Sequence, residues 1–233
     1  MNLQIVALLG QDGITNGAIY ALLALSIVLV FTVTRILLIP QGEFVAFGAL
    51  TMAMIQNGQP LTVAWLLVGL CVLASVVDLY DLWRSPKRRF SFWLPAKLIY
   101  AAVVATLAFT LPLATMPMLV QVFFTLVLLV PMGPLMYRIV FQPIAGASQL
   151  VLLIVSIGAH VALVGVGLLV FGPDGAHTAP FSESNLELGS FRINSQVIWI
   201  VCVSIALIVG LFLMFERTIY GKALRAAAMN RIG

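Results

Sequence analysis

Hydrophobic residues run through this chain in long continuous blocks, without the one-sided or alternating patterns that face a soluble core. Seven apolar segments can be drawn, at approximately 14–34, 43–57, 61–79, 94–113, 118–137, 150–171 and 197–215. Several approach the ~20 residues that a helix needs to cross the hydrocarbon core of a bilayer. A β-barrel would show short alternating segments instead. The pattern predicts an all-α, polytopic transmembrane helical bundle with about seven membrane segments, forming one membrane domain over residues 1–233. The second segment is the unusual one. Pro40 lacks an amide donor and Gly42 loosens the backbone, so a broken or short segment is expected near residues 40–57.

Composition agrees: 62% of the 233 residues are hydrophobic and 9% charged, against about 25% charged in a soluble domain. The net charge of +4 is an orientation signal, not a nucleic-acid footprint, because the basic residues gather in short loops, where they mark the cytoplasmic side. Arg35, the loop from Trp83 to Arg89, Arg138 and the tail from 216 to 233, with Arg217, Lys222, Arg225 and Arg231, fall on one side under strict alternation. The loop from Gly172 to Gln196, with Asp174, Glu183 and Glu187 against Arg192, falls on the other. Seven crossings with an outside N-terminus satisfy every loop; a re-entrant second segment would flip the N-terminus alone. No Lys or Arg precedes Arg35, so the basic region of a signal peptide is missing and the first segment is expected to be retained. Cys71 and Cys202 sit inside apolar runs and read as small buried hydrophobes.

Polar and small residues at membrane depth supply the candidate sites. Gly13, Gly17 and Ala21, each four apart, make a stripe for close helix packing; Asn16 and Tyr20 flank it, for packing or for substrate contact. Glu43 follows the expected break, where unwound backbone can line a transport path; it either lines that path or caps the helix start. Ser156 and His160 share one face of the sixth segment. An intramembrane histidine is a functional hypothesis by default, and an interhelical hydrogen bond is the plainer alternative. No nucleophile–base pair or metal-ligand cluster stands out, so no metal site and no catalytic residue is expected. The tail after Phe215 reads as a short helix rich in alanine, with Lys222 and Arg225 on one face, either an ordinary basic flank or a docking helix for a soluble partner.

Three stretches together resemble the membrane permeases of branched-chain amino acid ABC importers, of the LivH type. The first is Asn16-Gly-Ala-Ile-Tyr-Ala-Leu-Leu-Ala-Leu25, continuing to Gln41-Gly-Glu-Phe44 and Gly48-Ala49. The second is Arg138 to Pro143 with Ser148 to Gly158. The third is Arg217-Thr-Ile-Tyr-Gly-Lys-Ala-Leu-Arg-Ala-Ala-Ala228, similar to the family's Arg-Thr-x-x-Gly-x-Ala-x-Arg-Ala loop. The resemblance implies a multi-pass permease subunit of the bacterial inner membrane, with basic loops and C-terminus cytoplasmic. It would form the path for branched-chain or related small amino acids or amides. Tyr20, Gly42, Glu43, Ser156, Gly158 and His160 would line that path. Arg217, Gly221, Lys222, Arg225 and Ala226, in a coupling element over 216–233, would dock on a cytoplasmic ATP-binding subunit. A second homologous permease, an external solute-binding protein and membrane lipid would complete the surroundings. ATP would be hydrolysed in the partner, since the chain carries no phosphate-binding Gly-x-x-x-x-Gly-Lys-Ser/Thr loop and is not expected to be an enzyme or to hold a cofactor. The chain departs from the family at Leu38-Ile39-Pro40-Gln41, where polar residues are usual, and at Ser156, where threonine is usual. Family members continue beyond the position of Gly233, so the resemblance implies an incomplete domain. A self-sufficient carrier or channel, with Glu43 and His160 as ion or proton sites, is the alternative.

Overall fold

The computed structural model describes residues 3–84, 93–181, 185–188, 191–219 and 221–224. In chain order these form α1 (Leu3–Thr34), α2 (Gln41–Gln56), α3 (Val63–Arg84), α4 (Trp93–Thr110), α5 (Met118–Leu129), α6 (Met132–Met136), α7 (Gln149–Phe171) and α8 (Ser195–Arg217). A short hairpin of β1 (Asn185–Leu188) and β2 (Phe191–Asn194) precedes α8. Among the described residues, five helical runs are long and apolar enough to cross a membrane: Leu8–Thr34, Val63–Arg84, Met118–Ile144, Gln149–Phe171 and Ser195–Arg217. The chain is therefore helical, as a multi-pass membrane protein requires. Its contacts divide it into two compact units, residues 1–38 with 180–233, and residues 39–179.

In the first unit α1 packs along α8. The half-buried residues of α1 include Gln11, Thr15, Ala18, Leu22 and Leu25, one stripe at helical spacing. The hydroxyls of Thr15, Thr32 and Thr34 donate to the carbonyls of Gln11, Val28 and Val30, four residues back, so these three hydroxyls are satisfied within the helix. The hairpin is antiparallel, with Asn185 opposite Asn194 and Leu188 opposite Phe191. Its sequence alternates polar and apolar residues on either side of Gly189-Ser190, a hairpin signal within the long loop. Asn194 then caps α8, its side-chain oxygen accepting the Gln196 amide at 2.9 Å.

The second unit holds the buried core. Ala64, Leu67, Cys71 and Ala74 of α3 and Ala101, Val104 and Ala108 of α4 are all nearly inaccessible, and the two helices pack side by side. Small side chains at three- and four-residue spacing let two backbones approach closely, which is what holds helices together where lipid is as apolar as leucine. Phe124, Leu128, Met132 and Leu135 extend that core along α5 and α6. The run breaks between α5 and α6 at Pro131, which cannot donate to the helix ladder, and ends in a π-helical turn at Tyr137–Phe141.

α2 runs in the same direction as α7. Successive contacts advance together along both: the Ile39 amide meets Ser156, Glu43 meets His160, and Phe47 meets Gly167. At Gly167 a Cβ would lie 2.8 Å from Phe47 Cε1, so glycine is what admits the ring; Phe47 also tilts against Phe171, with ring centroids 5.3 Å apart. Past the end of α2, Thr62 donates to the Val170 carbonyl at 2.7 Å, and the Ala179 amide donates to Gln56 Oε1 at 2.7 Å. Gln121, buried on α5, holds the turn before it by donating to the Leu113 and Met116 carbonyls, each at 3.1 Å.

Candidate functional site

The interruption before α2 is anchored on α7. Pro40 is fully buried and stands at the helix start. The preceding amide, Ile39 N–H, leaves the helical pattern and donates to Ser156 Oγ at 3.0 Å. Ser156 is itself inaccessible. A hydroxyl on one helix thus satisfies the backbone donor that the interruption before another exposes.

One turn further along both helices, His160 Nδ1 lies 3.1 Å from Glu43 Oε1. The atoms are not aligned for a hydrogen bond, and Nδ1 has no hydrogen-bond partner. The separation is short enough for an ion pair when the imidazole carries a proton. Glu43 lies in the first turn of α2, where the helix dipole favours a carboxylate. Glu43 thus stands in the first turn of its helix and faces His160 of α7. Four residues beyond Phe47, Thr51 is wholly inaccessible and its Oγ1 has no hydrogen-bond partner.

Of the other path candidates, Gly42 and Gly158 are exposed beside this cluster with open space around them. Tyr20 belongs to the other unit and is 69% exposed. Gly13, Gly17 and Ala21 are also exposed, and both glycines face open space; the helix pairing inside this chain uses other faces.

At the end of α8 the chain makes a tight turn. Thr218 donates its hydroxyl to the Met214 carbonyl and accepts the Gly221 amide at 3.1 Å, while the Lys222 amide donates to the Thr218 carbonyl at 3.1 Å. A Cβ at Gly221 would collide with the Phe215 carbonyl oxygen, so this return onto the helix end is open to glycine only. It leaves Arg217 and Lys222 exposed. Arg225 and Ala226 lie outside the described residues.

Sequence reasoning missed an ion cluster at one end of the second unit. Asp78 and Asp81, three apart on α3, share one face. Arg138, on the π-helical turn, donates from Nε to Asp78 Oδ1 at 2.6 Å and from Nη2 to Asp81 Oδ2 at 2.7 Å. Lys97 of α4 reaches Asp78 Oδ2 at 2.7 Å. The four residues come from α3, α4 and the turn after α6. The available signal was balance: two carboxylates near the end of one segment, with one cation at each of the neighbouring segment ends.

No metal-ligand cluster occurs among the described residues. No family model, no curated protein and no solved structure matches the chain.

Proposed function

We propose that this chain is the permease subunit of an ATP-driven importer, moving branched-chain or related small amino acids or amides through a path beside the α2 break. The single observation that carries the proposal is the anchored interruption: Ile39 N–H on Ser156, Pro40, then Glu43 against His160. Interrupted short segments with polar groups at mid-membrane are the feature by which transport sites are recognised. The resemblance adds weight, because its three stretches fall on this break, on the turn carrying Arg138, and on the glycine turn after α8.

In this reading the seven segments all cross an inner membrane, with α2 crossing short: sixteen residues span about 24 Å of an apolar core about 30 Å thick. Its shared direction with α7 supports a crossing over a re-entrant loop, since second and sixth segments run the same way under strict alternation. Arg217, Lys222 and Arg225 face the cytoplasm and bind an ATP-hydrolysing subunit. A second permease and an external solute-binding protein act with it, and this chain performs no covalent chemistry.

The Glu43–His160 pair favours a second reading, a self-sufficient carrier that moves a proton with its solute. Uptake of radiolabelled leucine separates the two. The importer loses uptake when cellular ATP is depleted with the proton gradient intact. The carrier loses it when an uncoupler collapses the gradient with ATP maintained.

A further inference from the structure

A cavity of about 380 Å³ lies where the C-terminal ends of α2 and α4 meet the turn before α5, within the size range of small-ligand sites. Ile55, Leu61 and Leu113 give it a buried apolar side. The wall is polar as well, and since Gln59 is its one polar side chain, backbone groups and the Gln59 amide supply that part. The shape is preformed. Gly58 holds a left-handed φ of 64° at the rim, Pro60 and Pro112 stiffen the two turns, and Gln121 ties the Leu113 and Met116 carbonyls from beneath.

The backbone accounting at this cavity leaves acceptors in excess. The amides of Gly58 and Gln59 donate to the Ile55 and Met54 carbonyls, and those of Leu111 and Leu113 to the Leu107 and Leu111 carbonyls. Pro60 and Pro112 have no amide hydrogen to give. The Ala108 carbonyl would take its helical bond from the residue four ahead, and that residue is Pro112. The Phe109 carbonyl would take its bond from Leu113, whose amide turns to Leu111 instead. Among the described residues no donor reaches either carbonyl, although Ala108 is buried, and a buried carbonyl left unpaired is costly. Charge points the same way. Neither α2 nor α4 has a basic residue in its last turn, and no charged side chain lines the cavity. The negative ends of two helix dipoles therefore reach it with no cation of the chain to balance them.

We propose that this cavity binds a primary alkylammonium, its N–H groups donating to the Ala108 and Phe109 carbonyls and its alkyl body lying against Ile55, Leu61 and Leu113. A bare metal ion would leave most of the volume and the apolar side unused. A free amino acid fits less well than the corresponding amine, because its carboxylate would meet no cation in the wall. The site is separate from the α2 break, since Ile55 is twelve residues beyond Glu43 on α2, about 18 Å along the axis. The assignment stands whether or not the chain is an importer subunit.

Saturable binding of tritiated 3-methylbutylammonium to the full chain, purified in mild detergent and captured on resin, tests it. Unlabelled 3-methylbutylammonium should displace the label, whereas 3-methylbutanol and sodium ion at the same concentration should not. Gln59 is exposed, so its charge can be changed without disturbing the core. Gln59→Glu should tighten binding and Gln59→Lys weaken it, each by about two- to fivefold, the scale of one exposed charge pair. Ala114→Phe, at an exposed position on the rim, should fill the cavity and abolish saturable binding, while Leu169→Phe on an exposed face of α7 should leave it unchanged. The assignment is overturned by an absence of saturable binding to the unaltered chain, by displacement with the alcohol or sodium as effective as with the amine, or by equal affinity in the two Gln59 variants.

Discussion

Removing the hydroxyl of the inaccessible Ser156 leaves the Ile39 amide without its acceptor in a part-buried bond. A buried donor left unmade costs about 1–3 kcal/mol, so Ser156→Ala should lower the melting temperature in detergent, while Ser156→Thr, which keeps the hydroxyl, should lower it less. Gly167→Ala brings a methyl against Phe47, and overpacking of this kind costs about 1–3 kcal/mol. Combined with Phe47→Leu it should cost less than the sum of the single changes, which a double-mutant cycle read by thermal melting would detect. Additive costs would mean that the two residues do not meet. Ser156, His160 and Glu43 were legible in the sequence because polar residues at membrane depth stand out against their apolar neighbours. Gly167 was not, since its role depends on which ring from another helix arrives there. The Gly13, Gly17 and Ala21 stripe illustrates the same limit: spacing identifies a face that can pack, not the helix that meets it.

At the scale of elements, the apolar runs predicted about seven membrane segments; among the described residues five helical runs are long and apolar enough to cross, and boundaries shifted where polar residues did not stop the helix. α1 begins at Leu3, ahead of the expected start near residue 14, and α3 continues to Arg84, because Asp78 and Asp81 find partners and need not end it. That helix carries exposed tryptophans at both ends, Trp65 and Trp83, eighteen residues or about 27 Å apart, which suits interfacial anchors on either side of a hydrocarbon core. The ion cluster closes the same end of the second unit. Asp78→Asn removes a carboxylate that pairs with two cations, each less than one-quarter exposed. Losing one partner of such a cluster should destabilise the chain by about 2–3 kcal/mol, seen as a lower melting temperature, with Asp81→Asn milder because Asp81 is more exposed and has one partner. The cluster was illegible in sequence because it joins residues 57 and 60 positions apart, and no local period links them. The Gly221 turn is the opposite case, local in sequence and marked by a glycine after a helix. Gly221→Ala should leave α8 inserted but displace Lys222, and so weaken any association with an ATP-hydrolysing subunit; association at the unaltered level would show that this turn does not position the contact.

For the whole molecule, alternation of the segments sets one testable geometry. Single cysteines introduced at Ser85 and at Gly175, in a background with Cys71 and Cys202 replaced by Ala, should react with a membrane-impermeant maleimide from opposite faces of sealed vesicles. Reaction of both from the same face would refute seven crossings. The central claim, however, is that this chain works as one part of an ATP-driven assembly, and purification from the native membrane in mild detergent, with the co-purifying proteins identified by mass spectrometry, tests it most directly. The account predicts recovery of an ATP-binding subunit and a second permease, both lost when Lys222 and Arg225 are replaced by Glu while the chain itself remains in the membrane. Recovery of the chain alone at normal abundance, still catalysing uptake, would contradict it.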